Sequence, residues 1–314
     1  MARARVNPML AIRVKTENWR EYERISADRL GELVARIGGV DDQFLTVNRI
    51  PDLPYVFIQV ARDGAGSYTL EHRDGSPGTM FGTELPDAES VARIMVAWAR
   101  QEPGWDAGVV WDPVELPDRE PVPELDDGTR LEIEEYVRGL IKRGYDGRAQ
   151  LAEDAEEWLV DGDERPVSAA QARRIVDRLW LERIEEQAGW VGETDPERIT
   201  AVFEELDARG IVARENFACC RGCGLAEIGG EREDRDTGTV RGFVFFHTQC
   251  TEAVALGGGL SLYYGGFDGS QETTAAVGRE VTAALTGAGL SVKWDGSPGS
   301  AIDVPDLDWR KRLG

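Results

Sequence analysis

Four short runs near the start of the chain, QFLTVNRI (43–50), YVFIQVAR (55–62), SYTLEHR (67–73) and MFGTEL (80–85), are rich in β-branched and aromatic residues. Gly, Pro and Asp separate them, and that punctuation predicts strands joined by turns. ADRLGELVARIG (27–38) and DAESVARIMVAWARQE (87–102) instead have helical spacing, the second with Val91, Ile94, Met95 and Trp98 on one face. Together these elements predict an antiparallel meander with helices laid on it, an α+β layer that closes near GWDAGVVWDPVEL.

LPDREPVPELDDG (116–128) follows, proline-rich and acidic, with the composition of a linker. Beyond it the period becomes helical. Ile133, Val137, Leu140 and Ile141 line one helix, and Leu151, Ala155, Trp158 and Leu159 the next. Ser168 with Gln171, and Thr194 with Glu197, have capping-box spacing ahead of two further helices. The last hundred residues return to strands, GIVAREN (210–216), RGFVFFH (241–247), LSLYYGGF (260–267) and GLSVKWDG (289–296), with one long helix between the last two. That strand–helix–strand order allows a right-handed parallel crossover. The expected division is an α+β domain over 1–115, a linker over 116–128, and a helical segment leading into a C-terminal mixed α/β sheet over 129–314.

Charge narrows the choice of partner. The formal net charge is −22, and residues 116–210 hold 26 acids against 13 Lys and Arg. Nucleic acid and anionic lipid both demand basic patches, so neither is expected as a partner. The predicted helices turn Ile, Val, Leu and Trp inward, which forces acids such as Glu153, Glu156 and Glu157 outward as a face that would attract a basic protein. Plain solvation is the blander reading of the same acidity. No apolar run is long enough for a membrane span. Arg13 and Lys15 interrupt the apolar part of the N-terminal stretch too early for a secretory signal. Four cysteines in a chain of 314 residues are no disulfide framework. A reducing cytoplasm is the expected location.

Three of those cysteines lie in FACCRGCG (217–224) and the fourth in HTQC (247–250), beside one of only two histidines. Cys220 and Cys223, with a glycine directly after them, have the spacing of a zinc knuckle, and His247 and Cys250 repeat that spacing. Cys220, Cys223, His247 and Cys250 would make a closed Cys3His structural zinc site, with Cys219 pointing away. The competing reading is that these cysteines fill a core beside Phe217, Phe243 and Phe245. A thiol-redox reading of Cys220 and Cys223 needs a helix to start directly after the first cysteine. Gly222 and Gly224 argue for a turn there. GGGLSLYYGG lacks the Lys-Ser/Thr and following helix of a phosphate loop. His72 has no nucleophile elbow near it and reads as a polar strand residue. Trp98, Trp105 and Trp111 read as aromatic core, with the lining of a cleft as the alternative.

WVGETDPERI, LDARGIVARENFACCRGCGLAEIG, RGFVFFHTQC, GGGLSLYYGGF and VKWDGS give residues from about 126 to 314 a resemblance to a family of uncharacterised actinobacterial proteins, a domain of unknown function. The family pattern often places an acid where this chain has Cys250, a departure that bears on the four-ligand site, although a carboxylate also ligates zinc. The resemblance implies no activity and does not reach residues 1–115. The function expected from the sequence is a non-enzymatic interaction module with an acidic binding face, immunity-like toward a basic toxin in one form. The alternative is a metal- or thiol-dependent enzyme built on the Cys/His cluster. An open coordination position on bound zinc would favour the enzyme, and a closed site a structural role.

Overall fold

The structure, a computed structural model, describes residues 8–117, 120–233 and 240–314. Residues 118 and 119 of the expected linker lie outside that set. The chain divides into two compact units, Met1–Pro123 and Glu124–Leu313.

In the first unit, β1 (Ile12–Thr16), β2 (Glu21–Glu23), α1 (Ala27–Arg36), β3 (Phe44–Leu53), β4 (Val56–Arg62), β5 (Tyr68–Asp74), β6 (Phe81–Leu85), α2 (Ala88–Ala99) and β7 (Asp112–Pro113) follow in order. Every strand pairing is antiparallel, in the order β2-β1-β3-β4-β5-β6-β7. Alternation does the sorting. Ile12, Val14, Leu45, Val47, Ile58, Val60, Tyr68 and Leu70 are buried against Leu30, Leu33 and Val34 of α1 and Val91, Ile94, Met95 and Trp98 of α2. Ser26 and Asp87 cap the two helices through Arg29 N–H and Ser90 N–H. His72 is a strand residue, as expected, and continues the buried parity of β5 at 7% exposure. It sits against Phe81, Trp105 and Trp111, with ring centroids 5.4, 4.9 and 4.5 Å away.

The second unit starts with four helices, α3 (Asp127–Arg143), α4 (Arg148–Glu157), α5 (Ala169–Ala188) and α6 (Asp195–Ala208). Both expected capping boxes form, Ser168 with Gln171 and Thr194 with Glu197. Ile133, Val137, Leu151, Ala155, Val176 and Trp180 build the core of this helical layer. Trp158 falls just beyond α4 and is half exposed, stacked on Tyr136 at 3.8 Å rather than lining the core. Then come β8 (Ile211–Arg214), α7 (Arg221–Glu227), α8 (Gly230–Glu233), β9 (Gly242–Phe245), α9 (Thr248–Ala255), β10 (Leu260–Gly266), α10 (Gln271–Gly287) and β11 (Ile302–Val304).

These strands form a second sheet in the order β11-β10-β9-β8, with β8 and β9 parallel and the other pairs antiparallel. Its centre is FVFF, apolar at every position because both faces are covered. Val244 and Phe246 enter a core with α6, α9 and α10 residues, while Phe243 and Phe245 join Val212 and Ile228 on the opposite face. Two expectations change here. GLSVKWDG is not a strand, since only Lys293 bridges Asp303, and the edge beside β10 is taken by Ile302–Val304. The parallel crossover accordingly joins β8 to β9, not β10 to a strand after α10.

Residues 308–313 fasten this unit together. Lys311 Nζ lies 3.1 Å from Glu215 Oε2, which also accepts the Tyr145 hydroxyl at 2.6 Å. Arg312 pairs with Glu197 and donates to the carbonyls of Trp190 and Gly192, and Leu313 N–H donates to Gln187. Trp309 donates to the Arg143 carbonyl that ends α3.

Candidate functional site at the carboxyl ends of β8 and β9

Parallel strands end side by side, so whatever follows β8 and β9 is gathered at one edge of the sheet, the usual place for a site in such a pair. After β8 the chain turns sharply. Asn216 and Ala218 hold φ of 48° and 61°, a left-handed conformation that Asn tolerates and that costs Ala about 1–2 kcal/mol. The first turn of α9 offsets that cost. Phe217 N–H donates to the Phe246 carbonyl at 2.8 Å. The Ala218 carbonyl accepts from both Thr248 N–H and Thr248 Oγ1. Thr251, fully buried, donates its hydroxyl to Asn216 Oδ1 at 2.8 Å.

The bend delivers three thiols to one point. Cys220 is the N-cap of α7, and its Sγ accepts the N–H of Cys223 at 3.5 Å. Cys223 Sγ lies 3.3 Å from Cys219 Sγ and 3.4 Å from Cys220 Sγ. Cys219 is exposed and the other two are half-buried. The ligand atoms of Cys219, Cys220 and Cys223 all fall within 4.8 Å of one another, and among the described residues no fourth Cys, His, Asp or Glu joins that group. The N–H of Cys223 and its thiol stabilise the Cys220 thiolate and hold its pKa below the ordinary value. Hydrogen bonding to Cys219 and Cys220 pushes Cys223 up to about 12.

The four expected ligands therefore do not meet at one point. Cys219 belongs to the cluster because residues 218–220 bend rather than extend, which removes the alternation that would have sent its side chain away. His247 and Cys250 form a separate buried pair, with Cys250 Sγ 3.4 Å from His247 Nε2. Burial lowers the pKa of His247 and raises that of Cys250, so the pair is a neutral imidazole beside a neutral thiol. Its ring stacks on Tyr263 of β10 at 5.3 Å and 11°, and Arg221 of α7 lies 5.0 Å over that same ring. Tyr263 thus lies between Arg221 of α7 and the His247–Cys250 pair.

The helix that the glycines appeared to forbid also forms. α7 runs through Gly222 and Gly224, and Gly224 has a packing reason. A Cβ there would drive into the ring of Phe245. Glycine costs helix stability, but here it lets α7 lie flat on β9 with the thiols at its start. Thr248, Thr251, Asn216 and Tyr263 were not singled out in the sequence. The pattern Asn216…Thr248-x-x-Thr251 was the available signal, two hydroxyls one helical turn apart facing an Asn that precedes the cysteines.

On α4, Glu153 and Glu157 are exposed and Glu156 is half-buried. The nearby arginines are engaged elsewhere, Arg174 with Glu124, Arg178 with Glu134 and Glu182, and Arg183 with Glu186. Among the described residues no ion pair reaches Glu153, Glu156 or Glu157. Among the described residues no helix is long and apolar enough to cross a membrane.

Fold and site define an α+β chain whose C-terminal unit presents a three-thiol cluster at the carboxyl end of a parallel strand pair. Residues 126–313 match the family model of a domain of unknown function, DUF6891, and the chain belongs to that family. No curated protein and no solved structure matches it.

Proposed function

We propose that the C-terminal unit binds one thiophilic metal ion through Cys219, Cys220 and Cys223 and uses it at an open coordination position. The observation that carries this reading is the approach of three thiols to within 4.8 Å with no fourth protein ligand beside them among the described residues. Sulfur ligands select Zn2+ or Cu+ over the hard cations. Tetrahedral zinc–sulfur bonds of about 2.3 Å place sulfurs roughly 3.8 Å apart, so the two contacts that share Cys223 need to open by only about 0.4–0.5 Å. Structural zinc sites close with four protein ligands, whereas catalytic ones keep three and leave the fourth position to water or substrate. A three-thiolate set at an exposed edge favours the second class, a metal-dependent enzyme. The test is Co2+ titration of the full chain. A thiolate-to-cobalt charge-transfer band at one equivalent is expected, lost in Cys219→Ser, Cys220→Ser and Cys223→Ser and kept in Cys250→Ser. Absence of the band in the unsubstituted chain, or its loss only in Cys250→Ser, overturns the reading.

A second reading, the acidic interaction face, is favoured by the lack of ion pairs at Glu153, Glu156 and Glu157. Basic protein partners would be drawn by long-range steering that weakens as salt rises. Reversing all three to Lys should slow association with a cationic probe protein while leaving its dissociation nearly unchanged. Equal association rates for the two proteins at low salt would remove this face from consideration.

A further inference from the structure

Three thiols gathered at one point can do more than hold an ion. Both short sulfur–sulfur contacts, 3.3 and 3.4 Å, share Cys223. A disulfide bond is about 2.05 Å long, so either contact becomes a bond after an approach of roughly 1.3 Å, within reach of a change in side-chain torsion. The third pairing is disfavoured by covalent geometry, since it would close a strained ring. Cys219 and Cys220 are adjacent, and neighbouring Cα atoms sit about 3.8 Å apart. Disulfides span Cα separations of about 4.4–6.8 Å.

Exposure completes the arrangement. Cys219 is open to solvent and Cys220 is half-buried, whereas Cys250 is buried against His247 and stays out of the exchange.

We propose that Cys219, Cys220 and Cys223 form a dithiol–disulfide couple with Cys223 as the shared partner, exchanging electrons with low-molecular-weight disulfides. The inference uses the same three residues as the metal reading but requires no bound ion. The thiolate of Cys219 or Cys220 attacks one sulfur of the small disulfide. The S–S bond breaks, one small thiolate leaves, and a mixed disulfide remains on the protein. Cys223 then attacks the protein sulfur of that mixed disulfide, and its proton leaves with the second small thiol. Two electrons pass from the protein to the small disulfide, which leaves as two thiols. The remaining cysteine, 3.3 or 3.4 Å from Cys223, can attack it in turn and shift the bond between Cys219–Cys223 and Cys220–Cys223. The oxidised cluster always keeps one free thiol, and that thiol is never Cys223.

The experiment uses the full chain freed of metal by a chelator and treated with one equivalent of oxidised glutathione. Free thiols are then alkylated, and the disulfides are mapped by mass spectrometry. The expected result is two glutathione thiols released per chain and one intramolecular disulfide that always includes Cys223, with the alkylated cluster thiol divided between Cys219 and Cys220. Cys219→Ser should give only Cys220–Cys223, and Cys220→Ser only Cys219–Cys223. Cys223→Ser should stop at a glutathione mixed disulfide. Failure to react, arrest of the unsubstituted chain at the mixed disulfide, a Cys219–Cys220 bond, or bonds only between chains would each overturn the proposal. Cobalt binding with no disulfide sinks this inference alone, and disulfide formation with no cobalt band sinks the metal reading alone.

Discussion

Thr251→Val tests whether the first turn of α9 holds the thiol loop in place. Thr251 is fully buried, and its hydroxyl reaches Asn216 Oδ1 at 2.8 Å and, more weakly, the His247 carbonyl at 3.4 Å. Valine keeps the shape and deletes the donor, so no cavity opens. The loss combines a net hydrogen bond of about 1 kcal/mol with the partial desolvation of an orphaned acceptor. Asn216 is only half-buried and regains some water, which holds the total to about 1–2 kcal/mol. For a domain of this size that lowers the melting temperature by roughly 2–8 °C. If the same free energy governs the order of residues 216–220, Co2+ affinity should fall by roughly 5–30-fold. Thermal unfolding and Co2+ titration read the two effects separately. Thr251→Ser restores the hydroxyl but removes a methyl group, so it should recover metal affinity while remaining destabilised by about 1 kcal/mol. Unchanged affinity in Thr251→Val, or equal loss in both variants, would show that the loop is held some other way.

Burial lowers the pKa of His72, against the opposing pull of Asp74 and Asp106. The unfolded chain therefore binds more protons as pH falls through the ordinary histidine value of about 6.5, and the first unit loses stability from there down to the depressed value while keeping it in full above. His72→Phe, which preserves the aromatic contacts, should flatten that part of the difference in thermal unfolding between about pH 7.5 and pH 5.5, and an unchanged slope would count against it. We also expect residues 1–115 and 129–314 to fold as separate domains, with limited proteolysis cutting near residues 117–126 and each fragment unfolding cooperatively by itself. A single transition for the intact chain with neither fragment stable would contradict this.

The meander and the four helices were legible because each element announces itself locally. β3 to β6 alternate between turn residues, and Ser168 and Thr194 begin their helices with capping boxes. β1 was missed although Ile12, Val14 and Thr16 alternate, because two basic residues sit between them and the strand is defined by its pairing with β3. GLSVKWDG failed for the converse reason. Its alternation is real, but Trp294 donates to the Tyr264 hydroxyl, and a strand more remote in sequence occupies the edge. At the site, spacing found Cys220 and Cys223 but could not place Cys219. Its direction depends on the left-handed turns at Asn216 and Ala218, and those are fixed by hydroxyls some thirty residues downstream.

The fastening of residues 308–313 sets an order of events during translation. α3, α5 and α6 leave the ribosome long before Lys311 and Arg312, so the nascent helical layer carries Glu197 without its cation and the end of α3 without Trp309. Vectorial folding can assemble these helices early, but it cannot lock them until the last of these residues clears the exit tunnel. A chain stopped just before this short segment would carry all of these helices, yet lack the groups that hold them to the sheet.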